Sequence, residues 1–316
     1  MKRKGVYTLG WIGVYLMGVI ILFPSPPSAA PFLKQSTESL SHFHYLLANL
    51  YREQGQYYKA KYEYKRAIHL DPLSSALYEE FMELCYMLRD YEEAKLAGKK
   101  LIKMEPQNVK AHIIMGNIYF SQGRFVTAGQ YFEKAIDISP NQPDLYLALG
   151  KTYQEMGDLK RAEKTYRKAL RLEPEGFDGL MTLGQFYEDT ERPEEAIKCY
   201  RQLHQKDPYD LQNVLRLGRL YHELNKTDLA KEFFLKALKL NPQDLQAIYT
   251  LAQIEEKEGD WLKVAHYLNR VKDILQEDTP LETYLYLTFS YLQQNDFSLA
   301  TQTVEEALVF YPRSSN

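Results

Sequence analysis

From residue 41 onward, small, apolar and aromatic residues return to the same positions every 34 residues along the chain. Leu149-Gly150 is followed by Tyr153, Gly157, Ala162, Tyr166, Ala169 and Pro174, and the stretches 115–140 and 217–242 show a closely similar order. Prolines mark the period most clearly, at Pro72, Pro106, Pro140, Pro174, Pro208 and Pro242. A self-similar period of this length predicts an array of small, repeated structural units.

Turn and cap residues divide each unit into two helices. Most units have near their middle a glycine or asparagine, which tolerate the left-handed backbone conformation that ends many helices. These residues are Gly55, Gly123, Gly157, Gly259, Asn225 and Asn295. After the proline turn, capping residues are predicted at Ser74, Asn108, Asp210 and Asp244, and Pro143 suits the first turn of a helix. Each unit is therefore predicted to be a helix, a tight turn, a second helix and a proline-marked turn.

Two columns of side chains predict how these helices pack. Small residues recur in the first helix, at Ala48, Gly116, Gly150, Gly184 and Gly218, where they allow the second helix to approach closely. Tyrosine recurs at Tyr51, Tyr119, Tyr153, Tyr187, Tyr221 and Tyr291, and is predicted to fill the gap between neighbouring units. That column accounts for much of the tyrosine excess, which is 26 Tyr against 14 Phe and 2 Trp.

Taken together, the columns resemble the tetratricopeptide repeat, whose pattern is W-x2-L-G-x2-Y, then A-x3-F, then A and P. The resemblance covers residues 41–312 and implies an all-α, right-handed superhelical solenoid of helix-turn-helix repeats. The eight repeats are predicted at 41–74, 75–108, 109–142, 143–176, 177–210, 211–244, 245–280 and 281–312. Repeat seven has Glu255 for tyrosine and no proline at its end, so a slight break in the superhelix is expected near Gln276–Pro280.

The first 30 residues have a different character. Three cations at residues 2–4 precede an uncharged, largely apolar stretch from Gly5 to Phe23, and a run of proline, serine and alanine follows. This is the three-part pattern of an export signal, but the apolar stretch also approaches the ~20 residues of a membrane span. Residues 1–30 are therefore predicted to be a signal peptide or a retained membrane anchor, followed by a linker at 31–40. The basic head places the repeats outside the cytoplasm, and we expect them in a bacterial cell envelope, either periplasmic or anchored to the inner membrane.

Charge and cysteine content argue against several functions. The formal net charge is −3, and without the cations of residues 2–4 the chain has 36 basic against 42 acidic residues. Because such a surface repels phosphate backbones, no nucleic-acid partner is expected. Cys85 and Cys199 lie three repeats apart and fit no metal-site spacing, so we predict two buried apolar fillers and no disulfide.

Few residues of this sequence lie outside the predicted repeats, where a catalytic domain would have to be. About 40 residues precede the repeats and four follow them, fewer than the ~50 of a small domain. The sequence contains no phosphate-binding glycine loop, no HExxH and no GxSxG motif. His42 and His44 are two residues apart on one helix, so they cannot both face one ligand. No enzyme activity, cofactor or metal is therefore expected.

The resemblance also implies a concave groove lined by the first helix of each repeat, where the family binds peptides. The groove residues implied are Asn49, Asn117, Lys151, Asp178, Gln185, Glu188, Asp189, Arg216, Arg219 and Gln253. With Asp144 and Glu155, the carboxylates make the middle of the groove acidic, and the two arginines form a basic spot. Polar side chains spaced one per repeat can hydrogen-bond an extended peptide, although exposed helix positions are polar in any case.

Chaperone-binding members of the family hold two carboxylates in a clamp of Lys, Asn and Lys or Arg. Here Tyr45 and Asn49 are followed by Glu80 where the clamp requires asparagine. The clamp is absent, so a protein or peptide partner of basic or mixed charge is expected instead.

The last repeat presents a second candidate surface. Apolar residues occur on several sides of it, and those predicted to dock a partner or form a homodimer are Leu285, Tyr286, Phe289, Leu292 and Phe310. The function expected from these features is a non-catalytic protein-interaction scaffold of the cell envelope. The alternative is an assembly factor or accessory subunit, without its own active site, of an outer-membrane, secretion or polysaccharide-export machine.

Overall fold

The computed structural model describes the backbone of residues 30–311 and the side chains of residues 37–311. Within that range the chain forms sixteen α-helices, one short 3-10 helix and no β-strand. The helices are α1 (Ala30–Glu53), α2 (Tyr57–Leu70), α3 (Ser75–Met87), α4 (Tyr91–Met104), α5 (Val109–Ser121), α6 (Phe125–Ile138), α7 (Pro143–Glu155), α8 (Leu159–Leu172), α9 (Phe177–Asp189), α10 (Pro193–Lys206), α11 (Leu211–Glu223), α12 (Thr227–Leu240), α13 (Leu245–Glu258), α14 (Trp261–Leu275), α15 (Leu281–Gln293) and α16 (Phe297–Phe310). The predicted all-α fold is confirmed.

The helices follow the predicted register, two to each predicted repeat. One difference lies at the start, because α1 begins at Ala30 and therefore includes residues 31–40, which we expected to form a linker. The signal or anchor predicted at residues 1–30 lies outside the described residues except for Ala30. The part of the chain from residue 30 to residue 311 contains no helix that is both long and apolar enough to cross a membrane.

The tight turns inside the repeats have the backbone conformation that the sequence predicts. All six glycines and asparagines named for these turns have φ between 53° and 77°. Arg89 and Glu191 occupy the same turn position in repeats two and five, with φ of 58° and 55°. The residue after each turn bonds back to the helix, as Asp158 N does to Tyr153 O at 2.9 Å, which is the closure of a Schellman motif.

Capping agrees with the sequence in three of four predicted cases. The side chains of Asn108, Asp210 and Asp244 accept hydrogen bonds from the first turns of α5, α11 and α13. Ser74 makes no such bond. The second helices have caps that the sequence did not lead us to expect, since Asp158, Asp260 and Asp296 cap α8, α14 and α16. These aspartates directly follow the left-handed turn residue.

The predicted small residues lie directly under aromatic rings of the second helix. The glycines at 116, 150, 184 and 218 contact Phe132, Tyr166, Tyr200 and Phe234, respectively. A Cβ atom at Gly150 would lie 2.6 Å from Cδ1 of Tyr166, so the ring occupies the space that any side chain would need. These glycines therefore serve close packing.

Three tyrosines of the predicted column join neighbouring repeats through their hydroxyl groups. The Tyr153 hydroxyl donates to Glu133 Oε1 on the second helix of the preceding repeat at 2.6 Å, and the Tyr187 hydroxyl donates to Glu163 Oε1 at 3.1 Å. In the last repeat, Asn269 Nδ2 donates to the Tyr291 hydroxyl at 2.7 Å. Each contact ties a first helix to the hairpin before it.

The chain divides after Ala97 into two compact units. In the first unit, α1 packs on α2 through two buried polar contacts. His44 Nδ1 lies 2.5 Å from Glu63 Oε2, and the Ser41 hydroxyl donates to Ala67 O at 3.0 Å. The second unit contains the end of α4 and all helices from α5 to α16. Cys85 and Cys199 are buried free thiols, as predicted, and burial raises their pKa values to about 12 and about 11.

The connection between α14 and α15 is irregular where the sequence loses its register. A 3-10 helix spans Gln276–Asp278, and Gln276 itself has φ of 50°. Two contacts join the hairpins across it: the Tyr311 hydroxyl donates to Thr279 O at 2.8 Å, and Lys272 Nζ lies 2.5 Å from Glu306 Oε2. The irregularity is therefore local to this connection.

Candidate peptide-binding surfaces

Three first helices of the second unit, α7, α9 and α11, share a connected polar network. We call the surface formed by α5, α7, α9, α11, α13 and α15 the first-helix face. In this network Gln154 Nε2 donates to Asp189 Oδ2 at 3.1 Å, and Gln185 Nε2 donates to Asp189 Oδ1 at 2.9 Å. Arg216 Nη1 donates to Gln185 Oε1 at 2.8 Å and to Glu188 Oε1 at 3.1 Å. The network thus spans α7, α9 and α11 in three successive repeats.

Buried tyrosines support the network from beneath. The Tyr200 hydroxyl donates to Glu188 Oε1, and the Tyr166 hydroxyl donates to Gln154 Oε1 at 2.9 Å. Burial raises the pKa of Tyr200, and the hydrogen bond to the Glu188 carboxylate raises it further. Both phenols therefore stay protonated at neutral pH and act as fixed donors toward this face.

The structure joins two features that the sequence suggested were separate. Glu188 of the acidic middle and Arg216 of the basic spot form one ion pair, so neither charge is fully available to a ligand. Asp189 accepts two amide hydrogen bonds but remains exposed. Asp178 and Arg219 are exposed and stand outside the network. The central part of the face is therefore a set of oriented amide, carboxylate and guanidinium groups.

The other implied groove residues are more scattered. Asn117 is half-buried, whereas Lys151 is exposed, with its ammonium 5.6 Å from the centre of the Phe120 ring. Asn49 belongs to the first unit, where it accepts a hydrogen bond from the Tyr64 hydroxyl. In the same unit, Glu80 is held by Arg52 at 2.5 Å. That ion pair occupies the position where the chaperone-binding clamp would have its asparagine.

A pocket on the first-helix face lies between α13, α14 and α15. It encloses about 290 Å³. Ala252, Val264 and Leu268 form an apolar floor, and Gln253 and Tyr286 stand at its side. A hydrogen bond of 2.9 Å between the Tyr249 hydroxyl and the Thr283 hydroxyl joins the two first helices beside it. One implied groove residue, Gln253, and one residue of the C-terminal surface, Tyr286, thus belong to the same pocket.

Two carboxylates of this pocket were not singled out from the sequence. Glu256 lies on α13 and Glu282 lies on α15, and both line the pocket. Neither side chain forms an ion pair within the described residues. A signal was available, because Leu268 stands where repeats three to six have Phe or Tyr, and a smaller side chain leaves space.

The residues of the predicted C-terminal surface are exposed. The five apolar residues, Leu285, Tyr286, Phe289, Leu292 and Phe310, are each between 43% and 59% exposed. Phe289 packs edge-on against Trp261, with ring centres 5.2 Å apart, whereas Phe310 stacks on Tyr284 at 6.4 Å. Docking of a second copy on these residues stays a prediction. Among the described residues, no group of three or more His, Cys, Asp or Glu side chains has a metal-binding arrangement.

Models of one protein family match four stretches of the chain. Models described as tetratricopeptide repeat match residues 41–74, 147–210 and 211–244, and a model described as TPR repeat matches residues 116–157. Together the matches cover more than half of the chain, and each falls on helix hairpins of the predicted register. The chain is a tetratricopeptide-repeat protein.

Solved structures show the same type of fold. The PilF protein of Pseudomonas aeruginosa superimposes with a TM-score of 0.52 at 18% identity, over 69% of this chain and 99% of that chain. MamA from residue 41 to its end, from Desulfovibrio magneticus RS-1, gives a TM-score of 0.51 at 16% identity, over 54% of this chain and 96% of that chain. Comparison with curated proteins finds no match. At these identities the likeness extends to the fold alone.

Proposed function

We propose that the protein is a non-catalytic scaffold that binds a segment of another protein along the first-helix face of its second unit. The pocket between α13 and α15 is the observation that carries this proposal. An apolar floor below two carboxylates suits an apolar side chain flanked by basic residues. The bound segment is therefore of basic or mixed charge, with one apolar anchor.

The polar network gives such a segment further partners. Asp189 is exposed, and Gln185 and Arg216 are already held in fixed orientations by their own hydrogen bonds. Side chains that are ordered before binding lose less conformational entropy when a ligand arrives. The network therefore suits hydrogen bonding to an extended backbone, while the pocket selects a side chain.

Binding of short peptides tests the proposal. The probe is a fluorescein-labelled 12-residue peptide of Lys and Ser with one central Leu, and its comparison peptides carry Gly for Leu or Glu for Lys. We expect saturable binding of the Lys/Leu peptide and loss of about 10-fold in affinity without the Leu, which corresponds to roughly 1.4 kcal/mol. The E256Q/E282Q variant should weaken binding about 10-fold, because it removes both carboxylates of the pocket.

A matched control removes two charges elsewhere. Glu223 and Glu305 are exposed and lie outside the pocket lining, so E223Q/E305Q should bind the Lys/Leu peptide within about 2-fold of the unchanged protein. Equal weakening by both double variants would show diffuse attraction and would overturn the pocket. Absence of saturable binding up to about 1 mM peptide would overturn the proposal as a whole.

We also propose that the scaffold works in the cell envelope. The support is the N-terminal pattern of three cations, an uncharged apolar stretch and small residues. A narrower form, an assembly factor or accessory subunit of an envelope machine, has the same support. If the repeats are outside the cytoplasm, protease added to cells stripped of their outer layers should degrade the repeats of the full-length protein while cytoplasmic markers survive. Protection of the repeats until the inner membrane is lysed would contradict this location.

A further inference from the structure

In repeats four and five, adjacent helices differ sharply in charge. Helix α8 carries six cationic side chains and one acidic one, whereas the adjacent α9 carries three acidic side chains and no cation. We call the surface formed by α8 and α10 the second-helix face. Since α9 contributes its carboxylates to the first-helix face, repeats four and five separate opposite charges onto two faces.

A cleft of about 470 Å³ lies on the second-helix face, between α8 and α10. Leu180, Leu183 and Cys199 line it and are buried, so they form a recessed apolar floor. Arg171 from one side and Lys198 from the other line the same cleft and are exposed. Cations therefore flank the apolar floor of this cleft, whereas carboxylates flank the apolar floor of the pocket on the first-helix face.

The carboxylates near this cleft already have partners. Glu163 is held by Arg167 and by Arg192, each at 2.8 Å, and Glu195 is held by Arg192 at 2.8 Å. Within the described residues, Arg171 and Lys198 make no hydrogen bond or ion pair. Arg171 and Lys198 therefore keep their hydrogen-bond donors for an external anion. Glu195 also lines the cleft and attracts Lys198, but its side-chain hydrogen bonds are made with Arg192.

We propose that this cleft binds an acidic segment of a partner protein, with one large apolar side chain inserted between α8 and α10 and flanking carboxylates paired with Arg171 and Lys198. The charge of the cleft fixes the sign of the partner, and its apolar floor requires a side chain rather than a bare anion. A bilayer is a poorer fit, because membrane-binding surfaces insert protruding apolar groups, whereas Leu183 and Cys199 are recessed. The site is independent of the first-helix face, so the protein can hold two partners of opposite charge.

The test uses the full chain and an acidic probe. The probe is a labelled 12-residue peptide of Glu and Ser with one central Phe, and the comparison peptide has Gly for Phe. We expect saturable binding, at least about 10-fold weaker without the Phe, as the burial of a large apolar side chain requires. The R171E/K198E variant should weaken binding by at least about 30-fold, since two attractive contacts become repulsive.

The control variant makes the same change in net charge, with both substitutions on α8. Lys160 and Lys164 are exposed on α8 outside the cleft, so K160E/K164E should weaken binding by less than about 3-fold. Circular dichroism verifies that both double variants stay helical. The E256Q/E282Q variant should bind the acidic peptide unchanged, so failure of the first-helix pocket and failure of this cleft are separate results.

Three outcomes would overturn the cleft. The first is equal weakening by K160E/K164E and R171E/K198E, which would show attraction by the whole helix. The second is a result in which the protein binds phosphatidylglycerol vesicles but not the peptide, and R171E/K198E loses the vesicle binding. The surface would then be a lipid contact. The third is absence of saturable peptide binding up to about 1 mM at low salt.

Discussion

Replacing Gly150 by alanine is expected to lower the free energy of unfolding of the α7–α8 hairpin by about 2 kcal/mol. The new Cβ would lie 2.6 Å from Cδ1 and Cε1 of Tyr166, far inside van der Waals contact. The ring has little freedom to retreat, because its hydroxyl is bonded to Gln154 and its edge packs against Phe186 at 5.5 Å between ring centres. The overpacking therefore exceeds the roughly 1 kcal/mol that alanine gains over glycine in a helix.

Gly129 provides the matched control, because it is also a buried helical glycine of the second unit. A Cβ atom there would lie 3.7 Å from Thr152 Cγ2, which is ordinary contact. Gly129→Ala should therefore raise stability by about 0.5–1 kcal/mol, the value of helix propensity alone. Urea unfolding, combined with hydrogen exchange of the α7 and α8 amides, measures both changes. Destabilisation of equal size at both positions would contradict the packing argument.

A second variant checks that Tyr166 is the cause. In repeat seven the equivalent pair is Ala252 and Leu268, both buried. The double change Gly150→Ala with Tyr166→Leu reproduces that pair, so it should be less destabilising than the sum of the two single changes. The expected coupling is about 1 kcal/mol or more, within the range found for residues in contact. Additive effects would place the strain of Gly150→Ala elsewhere.

The repeat architecture was predictable because each turn and close contact has its own residue requirement. A left-handed turn could be predicted from Gly157 alone, and a close approach of two helices could be predicted from Gly150 alone. Neither prediction required knowing which residues lie nearby in the fold. Arg89 and Glu191 adopt the same turn, although nothing local favours it. At these two positions the packing of the flanking helices decides the conformation, since a single residue in the left-handed region costs only about 1–2 kcal/mol.

The binding surfaces were less predictable, because charge and space depend on pairs of residues far apart in sequence. The sequence pattern assigned Glu188 to an acidic region and Arg216 to a basic spot, but the two side chains form one ion pair between neighbouring repeats. The pocket beside Gln253 is lined by Leu268, which stands where repeats three to six have a larger aromatic side chain. The cleft between α8 and α10 lies on a face that the family resemblance did not indicate. The 34-residue period fixes which residues are equivalent, but it does not fix which of them meet.

Replacing His44 by leucine is expected to destabilise the α1–α2 hairpin by about 3 kcal/mol. His44 and Glu63 are both buried, and their contact of 2.5 Å joins the two helices. Without the imidazole, the Glu63 carboxylate is left in an apolar interior without this partner, and desolvation of such a group costs several kcal/mol. Hydrogen exchange of the α1 and α2 amides measures the loss, because a terminal hairpin of a repeat array can open by itself.

The double change removes both polar groups and gives the decisive comparison. Repeat six has Val214 and Phe233 at the equivalent positions, and both are buried. His44→Val with Glu63→Phe copies that pair, so its stability should return to within about 1 kcal/mol of the original or exceed it, as when buried ion pairs are replaced by apolar residues. If the double variant is as unstable as His44→Leu, the His44–Glu63 contact itself stabilises the hairpin, and does more than satisfy two buried polar groups. If it is stable, the His44–Glu63 pair is not required for stability, and the α1–α2 hairpin folds on the same apolar packing as repeat six.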